Sequence, residues 1–401
     1  MEPQVLVLDN GGSTIKAGLA SSADPPCIVP NTTARIRKSL HELIGDDTVS
    51  AVTDHSQLMY HRPIEKGYVV NWDYEAKIWN QLLDERHLNL QPQNCYLFLS
   101  QPLFNMDELM KGTLEVVFEH FRFGGFCSSP APLWSFAMEC GTLPESDVSR
   151  QTASGLVIES GFSFTHIVPI IDGKVVLEGV KRVNVGGKLL TNLLKENLSF
   201  RQVNVQDCTH LVNGLKEKFC FVSMDALREL DVCRQSPLRL RKAFVLPDYV
   251  TSSTGFELMP GEKVSPTQQV ITMLNERFMV PEALFHPSDI GIRQAGIAES
   301  VELCLQLFPP SVQQMLVRNI VLSGGNTCLP HFKERFESEI VPVIRDGMEH
   351  RIIQLADPIG DTWRGGAAQA RNPEFLQRFV TKEMYEENGA YRLLSSAFCQ
   401  N

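Results

Sequence analysis

Three stretches of the chain repeat one pattern: a run of aliphatic residues, a polar residue, then glycine. They are Val5-Leu6-Val7-Leu8-Asp9-Asn10-Gly11-Gly12, Gly155-Leu156-Val157-Ile158-Glu159-Ser160-Gly161 and Asn319-Ile320-Val321-Leu322-Ser323-Gly324-Gly325-Asn326. Aliphatic and β-branched runs that stop at glycine predict buried strands entering tight turns. After the first two turns the chain resumes as an apolar run, at 15–19 and 167–171. Each is therefore expected to be a hairpin with backbone N–H groups at its tip. The acids that end the two strands, Asp9 and Glu159, lie 150 positions apart. That distance points to two similar domains facing each other; a solenoid would repeat every 20–50 residues or so. Apolar positions at helical spacing predict helices over 73–83, 106–121, 188–198 and 208–222. Proline and polar clusters predict loops at 21–30, 128–132 and 252–266, and the polar, weakly periodic segment 31–60 is assigned to no element.

The 401 residues allow two or three domains at roughly 150 residues each. Apolar residues make up 43% and charged residues 21%, a balance that excludes a dominantly disordered chain. A net charge of −10 excludes a surface that attracts nucleic acid everywhere. It leaves two local basic clusters, Arg35-Ile36-Arg37-Lys38 and Arg239-Leu240-Arg241-Lys242, each able to touch DNA phosphate or an import carrier, or to be an ordinary solvated loop. No apolar stretch approaches the ~20 residues of a membrane span. The opening residues lack the basic and apolar regions of a signal peptide, so an intracellular protein is expected. The 10 cysteines are scattered without a C-x-x-C pair; they read as reduced, mostly buried thiols, with zinc ligation as the alternative.

The common nucleotide fingerprints G-x-G-x-x-G and G-x-x-x-x-G-K-[ST] are missing, as are H-E-x-x-H and G-x-S-x-G. The candidate chemistry is in the paired turns. In the first, Gly11 and Gly12 let backbone approach an anion, Lys16 adds a cation, and Asp9 suits a hydrated Mg²⁺. The second, with Gly161 and Ser163, would clamp the same phosphates from the other side. The ordinary alternative is two hairpins that merely need glycine; duplication after acid-ended strands favours phosphate. Gly324 and Gly325 form a third turn, suited either to a base or ribose or to tight packing on a following helix. Lys216 and Glu217 sit in a candidate helix whose charges ordinarily mark a solvated face. His166, in an apolar strand, reads as a satisfied core histidine rather than a base.

Together these segments resemble actin. The turn from Asp9 to Lys16 runs into Ala17-Gly18-Leu19. Lys66-Gly67-Tyr68-Val69-Val70-Asn71-Trp72-Asp73, Leu215-Lys216-Glu217-Lys218-Phe219, Asn275-Glu276-Arg277-Phe278, Pro281-Glu282-Ala283-Leu284-Phe285 and Trp363-Arg364-Gly365-Gly366 follow in actin order over nearly the whole chain. Within that superfamily, Ser160-Gly161-Phe162-Ser163-Phe164-Thr165-His166, Val185-Gly186-Gly187-Lys188, Val245-Leu246-Pro247-Asp248 and Tyr385-Glu386-Glu387-Asn388-Gly389 are similar to the sixth, nuclear class of actin-related proteins. The resemblance implies an α/β, two-lobed actin/hexokinase/chaperone-ATPase fold with a nucleotide cleft between the lobes. The first lobe would span 1–150, with 351–401 returning to it. The second would span 151–350, with an inserted subdomain near 190–270.

The same resemblance implies a nuclear subunit, cytoplasmic only before import, of a SWR/SRCAP-type remodelling complex that exchanges a histone variant into nucleosomes. Its expected neighbours are a zinc-finger HIT-domain protein, histones and nucleosomal DNA, with no membrane. ATP with Mg²⁺ is the implied cofactor, held as a structural clamp by Asp9, Gly11, Gly12, Lys16, Gly161, Ser163, Lys216, Glu217, Gly324 and Gly325, with Asp9 and Glu159 reaching the metal through water. Three departures from actin imply a non-enzyme. Glu159 replaces an aspartate, Phe162 replaces a second aspartate, and the water-positioning glutamine falls at Ala131. A carboxylate shifted by about 1 Å can lose about 10²-fold in rate, and hydrolysis depends on a positioned nucleophile. The segment 31–60 lacks actin's apolar partner-binding loop, so self-polymerisation is not expected. The rival readings are an active ATPase or kinase of the superfamily and a cytoskeletal filament protein.

Overall fold

The computed structural model describes residues 3–37, 39, 41–52, 54–142, 154–248 and 254–395. Strand β1 (Gln4–Asn10) is aliphatic from Val5 to Leu8, where it is covered on both faces. Leu6 and Leu8 join a core with Ile78, Trp79 and Leu82, while Val5 and Val7 pack with Trp134 and Trp363 on the other side. β1 turns at Gly11–Gly12 into antiparallel β2 (Thr14–Leu19), which pairs with β3 (Cys27–Pro30). On its other edge β1 pairs in parallel with β4 (Cys95–Gln101), and β4 in parallel with β5 (Gly125–Pro130).

The second lobe repeats this topology. β6 (Gly155–Ser160) lies antiparallel to β7 (Thr165–Ile171), which continues into β8 (Lys174–Val175). On its other edge β6 pairs in parallel with β9 (Ile320–Ser323), and β9 in parallel with β10 (Ile352–Gln354). The two sheets thus read β3-β2-β1-β4-β5 and β8-β7-β6-β9-β10, with matching strand directions. The first sheet is extended by β11 (Val380–Thr381), after which the helical segment Lys382–Ser395 packs Tyr385, Ala390 and Leu393 into the first lobe's core. The boundary expected near residue 150 lies outside the described residues, and the return to the first lobe comes later than the expected 351, because β10 (Ile352–Gln354) is still hydrogen-bonded to β9 of the second lobe.

The four anticipated helices are present: α1 (Trp72–Leu83), Asp107–Glu115 continued by a wider turn over Val116–His120, Gly187–Arg201, and Thr209–Phe219. Asn71 caps α1 through its side chain. Three segments expected to be loops contain regular structure. Residues 27–30 form the edge strand β3, whose Pro30 sits at its end. Residues 125–130 form β5, and Ala131 opens α2 (Ala131–Thr142) with Pro132 in its first turn, where no N–H donor is needed. The serines of that junction are buried, and Ser129 Oγ accepts from Trp134 Nε1 at 2.6 Å. Within the third, Phe256–Leu258 pairs with Lys242–Val245, itself paired with Val270–Met273; 252–253 lie outside the described residues. The unassigned segment 31–60 holds most of a small antiparallel sheet of Thr33–Ile36, Glu42–Ile44 and Leu58–His61 over a core of Ala34, Leu43 and Leu58.

The lobes are joined by close helix packing. Three further helices are α3 (Gly187–Arg201), α4 (Thr209–Phe219) and α5 (Asp361–Ala370). A Cβ on Gly365 of α5 would lie 1.8 Å from the Trp134 carbonyl oxygen of α2, so only glycine permits this crossing. Ser135, Ser323 and Thr362 hydroxyls form a buried triangle at 2.9–3.2 Å that ties α2, β9 and α5 together. Trp363 Nε1 donates to the Val7 carbonyl at 2.9 Å.

Candidate functional site: the cleft between two hairpin tips

The hairpin registers place Asp9 opposite Lys16 and Glu159 opposite His166. The two pairs are equivalent in topology and opposite in electrostatics. Lys16 Nζ lies 3.2 Å from Asp9 Oδ2, and Ser100 Oγ donates to Asp9 Oδ1 at 2.9 Å. His166 Nδ1 is 4.0 Å from Glu159 Oε2, and its ring packs on Phe164. Burial, followed by the charge of Arg182, pushes the His166 ring down to about 3. It is neutral at physiological pH. The expectation of a satisfied core histidine fails in one respect: among the described residues its buried Nε2 has no hydrogen-bond partner.

Glu159 therefore has no cation of its own. Burial, then the charge of Asp9, pushes its carboxyl up to about 7 against the opposing pull of Lys16. Its side chain keeps 22% of its surface accessible, so this is a carboxyl in a narrow crevice rather than one sealed in a core. The carboxylates of the two lobes face the same space.

The turns beside them carry unused donors. Among the described residues, the N–H groups of Gly11, Gly12, Ser13, Phe162, Ser163 and Phe164 make no hydrogen bond within the chain. Successive free N–H groups in a turn form an anion cradle. The second cradle is held from behind. Gly187 and Lys188, at the start of α3, donate to the Gly161 and Phe162 carbonyls, and Asn326 Nδ2 donates to the Gly161 carbonyl at 2.8 Å. The tips meet where a Cβ on Gly12 would lie 2.9 Å from Ser163 Oγ.

Gly324 has φ +92° and approaches the Ser160 carbonyl so closely that a Cβ would lie 2.3 Å from it. Its packing partner is β6, not a following helix. Gly325 is exposed. Lys216 is buried and gives its three protons to the Gly187 carbonyl, Thr191 Oγ1 and Asn213 Oδ1 at 3.0–3.2 Å. Glu217, exposed on the same helix, accepts from Asn213 Nδ2 at 2.7 Å. Asp9, Gly11, Gly12, Lys16, Glu159, Gly161 and Ser163 thus converge at the tips, with Lys216, Glu217, Gly324 and Gly325 beyond the Gly161 end. No group of three potential metal-ligating side chains occurs among the described residues. Of the eight described cysteines, four are buried, three are half-buried and Cys328 is exposed, so burial is less general than expected.

Three contributors were not read from sequence. Asn326 follows the Gly324-Gly325 turn and braces the second cradle. Beneath the first, Asn31 Nδ2 donates to the Gly11 carbonyl at 3.1 Å and to Glu75 Oε1 at 3.3 Å. Arg62 reaches the Gly12 carbonyl with Nη1 at 3.3 Å across 50 residues of chain.

A duplicated sheet pair with an anion cradle at each of two facing tips is the frame of the actin superfamily, and the family pattern described as Actin matches residues 1–395. The chain belongs to the actin family. It is an actin-related protein similar throughout to those called Actin-related protein 6. It is 36% identical to the one from Oryza sativa subsp. indica over 97% of both chains. It is 36% identical to that of Arabidopsis thaliana, over 97% of this chain and 98% of the relative. For Drosophila melanogaster the identity is 34%, again over 97% and 98%.

Proposed function

We propose that this chain is a non-catalytic, structural subunit of a SWR/SRCAP-type remodelling complex that exchanges a histone variant into nucleosomes, with ATP and Mg²⁺ held as a clamp between its lobes. The observation that carries the nucleotide part is the paired cradle of free N–H groups flanked by Asp9 and Glu159. The donor set suits a hydrated Mg²⁺ bound through carboxylates and water, with polyphosphate on the backbone donors. The metal, when bound, would neutralise charge on the phosphates. The chain's part is to bind and orient. Nucleotide at 100 Kd would add about 2.7 kcal/mol to the stability of the closed fold.

Weak or absent hydrolysis is supported by what the tips lack. Phe162 offers an apolar ring at the second turn, and Ala131, at the start of α2, has no group to orient water. The complex, its zinc-finger HIT-domain neighbour and the nuclear location rest on the resemblance to the sixth class, and the absence of self-polymerisation rests on the segment 31–60, which lacks actin's apolar partner-binding loop. Direct DNA contact is a narrower part of the proposal. Arg239 and Arg241 are exposed, whereas Lys242 is held by Glu257 at 2.6 Å, Arg35 lies 3.9 Å from Glu42 and Arg37 2.9 Å from Asp207. Lys38 lies outside the described residues. Charge reversal at Arg239 and Arg241 should weaken nucleosome binding in a salt-dependent way.

The deciding experiment is affinity purification of the tagged chain from nuclear extract, with mass spectrometry of what accompanies it. A large remodelling ATPase with histone-binding subunits is the expected result. A free monomer, or cytoskeletal proteins alone, would overturn the assignment. One observation favours a second reading, an active ATPase or kinase: the Glu159 carboxyl, pushed up to about 7, is suited to accept a proton at neutral pH. Sustained phosphate release at ~1 s⁻¹ that Glu159→Gln abolishes would establish that reading instead.

A further inference from the structure

We propose that Arg62 binds the terminal phosphoryl group of the cleft's nucleotide and makes the site selective for nucleoside polyphosphates over the nucleoside and its monophosphate. The inference rests on the nucleotide-binding reading above and adds to it the residue that reads phosphate number.

Arg62 follows the strand Leu58–His61 in the first lobe and reaches across to the second. Its guanidinium lies 4.5 Å from the centroid of the Phe162 ring while Nη1 donates to the Gly12 carbonyl. It therefore sits over the point where the hairpin tips meet. Among the described residues it has no ion-pair partner, and burial lowers its pKa, opposed only by Tyr60. A guanidinium carries five N–H donors in a planar fork. Among the described residues it makes one hydrogen bond, which leaves donors of the fork without a described acceptor.

The two lysines assigned to the site from sequence are occupied. Lys16 is paired with Asp9 at 3.2 Å, and the three Lys216 protons are spent on protein oxygens. Arg62, which touches both hairpin tips, is thus a cation with capacity to spare. The class of ligand follows from the donor geometry: a planar fork beside free backbone N–H groups fits tetrahedral phosphate oxygens. Its position selects the terminal group. Gly324 and Asn326 pack at the Ser160–Gly161 end of the second turn, whereas Arg62 lies at the Phe162–Gly12 end. A ligand whose base lies near Gly325 extends its last phosphate towards Arg62.

The test is calorimetric binding of adenosine, AMP, ADP and ATP with Mg²⁺ to the full chain, wild type and variants. Arg62→Ala should weaken the longest-chain nucleotide that binds by at least about tenfold, the usual loss for a charge-assisted hydrogen bond, while adenosine binding stays unchanged. Arg62→Lys should recover part of the loss. Equal ATP and ADP affinity in wild type and Arg62→Ala would overturn the inference and leave the nucleotide reading standing. An equal loss for adenosine would also overturn it, because Arg62 would then act only by holding the lobes together. If wild type binds no nucleotide at all, both fail. Should Arg62→Ala not fold, Arg62→Gln keeps a donor for the Gly12 carbonyl, removes the charge and is read by the same criteria.

Discussion

At the scale of single residues, the cleft shows how one backbone frame sets two acids to different states. Asp9 and Glu159 occupy matching register positions, yet one faces an ammonium and the other a neutral imidazole. A third carboxyl lies below the first turn. Glu75 is fully buried and accepts from Trp79 Nε1 at 3.1 Å and from Asn31, while its Oε2 and Asn31 Oδ1 have no partners. Burial raises its carboxyl from 4.5 to about 7, against hydrogen bonds from Asn10, Asn31 and Trp79. The folded chain then holds a proton that the unfolded chain releases above its ordinary pKa. Stability associated with this group is present below pH 4.5 and is lost as pH rises through 7. The 2.5-unit interval between these values corresponds to about 3 kcal/mol. Glu75→Gln removes the titration and keeps the acceptor for Trp79 and Asn31. It should change stability little at pH 4.5 and raise it by up to about 3 kcal/mol at pH 8, as measured by urea unfolding at both pH values. A variant effect independent of pH would show that Glu75 ionises as freely folded as unfolded.

At the scale of elements, the strands that flank the cleft were legible because each is an unbroken aliphatic run, a pattern that burial on both faces demands. The small sheet within 31–60 was not, because its strands have three or four residues each and share a core of three buried apolar side chains. Such a core leaves no periodicity for a window to detect. The 125–142 segment misled for another reason. Ser-Ser-Pro-Ala-Pro has loop composition, but Trp134 and Gln101 satisfy its hydroxyls in the interior, and the prolines stand where a strand ends and a helix begins. Both cradles were visible as glycine turns, whereas Arg62 and Glu75 act only through tertiary closure and have no local signature. The crossing of α2 and α5 gives an element-scale test. Gly365→Ala gains up to about 1 kcal/mol of helix propensity, yet its Cβ would strike the Trp134 backbone carbonyl, which cannot rotate away. Overpacking of this kind costs about 1–3 kcal/mol, so the net expectation is a loss of stability in denaturant unfolding. An unchanged or raised midpoint would mean that the two helices separate without penalty.

At the scale of the molecule, the lobes also meet away from the α2–α5 crossing, and that contact titrates. His55 of the first lobe packs against His210 of the second, with ring centroids 4.5 Å apart and ring planes inclined by 33°, near the Arg37–Asp207 ion pair at 2.9 Å. The ion pair is exposed on both sides, 49% and 60%, and such pairs contribute little and are screened by salt. The histidines decide the pH response. Burial lowers both; His210 lowers His55 further, while Asp54 and the Thr48 backbone oppose the shift on His55 and Glu217 opposes it on His210. A histidine lowered by folding contributes stability above its ordinary value of 6.5 that is lost as pH falls through the lowered value. Two cationic rings at this separation would also repel, so acidification should part the mouth before the hinge at α2 and α5 gives way. Amide hydrogen exchange, corrected for intrinsic rates, should show residues 54–60 and 207–212 losing protection between pH 7.5 and 5 while α2 and α5 keep theirs. His55→Gln with His210→Gln should hold that protection level across the same range. If the double variant opens with acid as the wild type does, another group governs the mouth, and Glu217 and Asp54 become the residues to test.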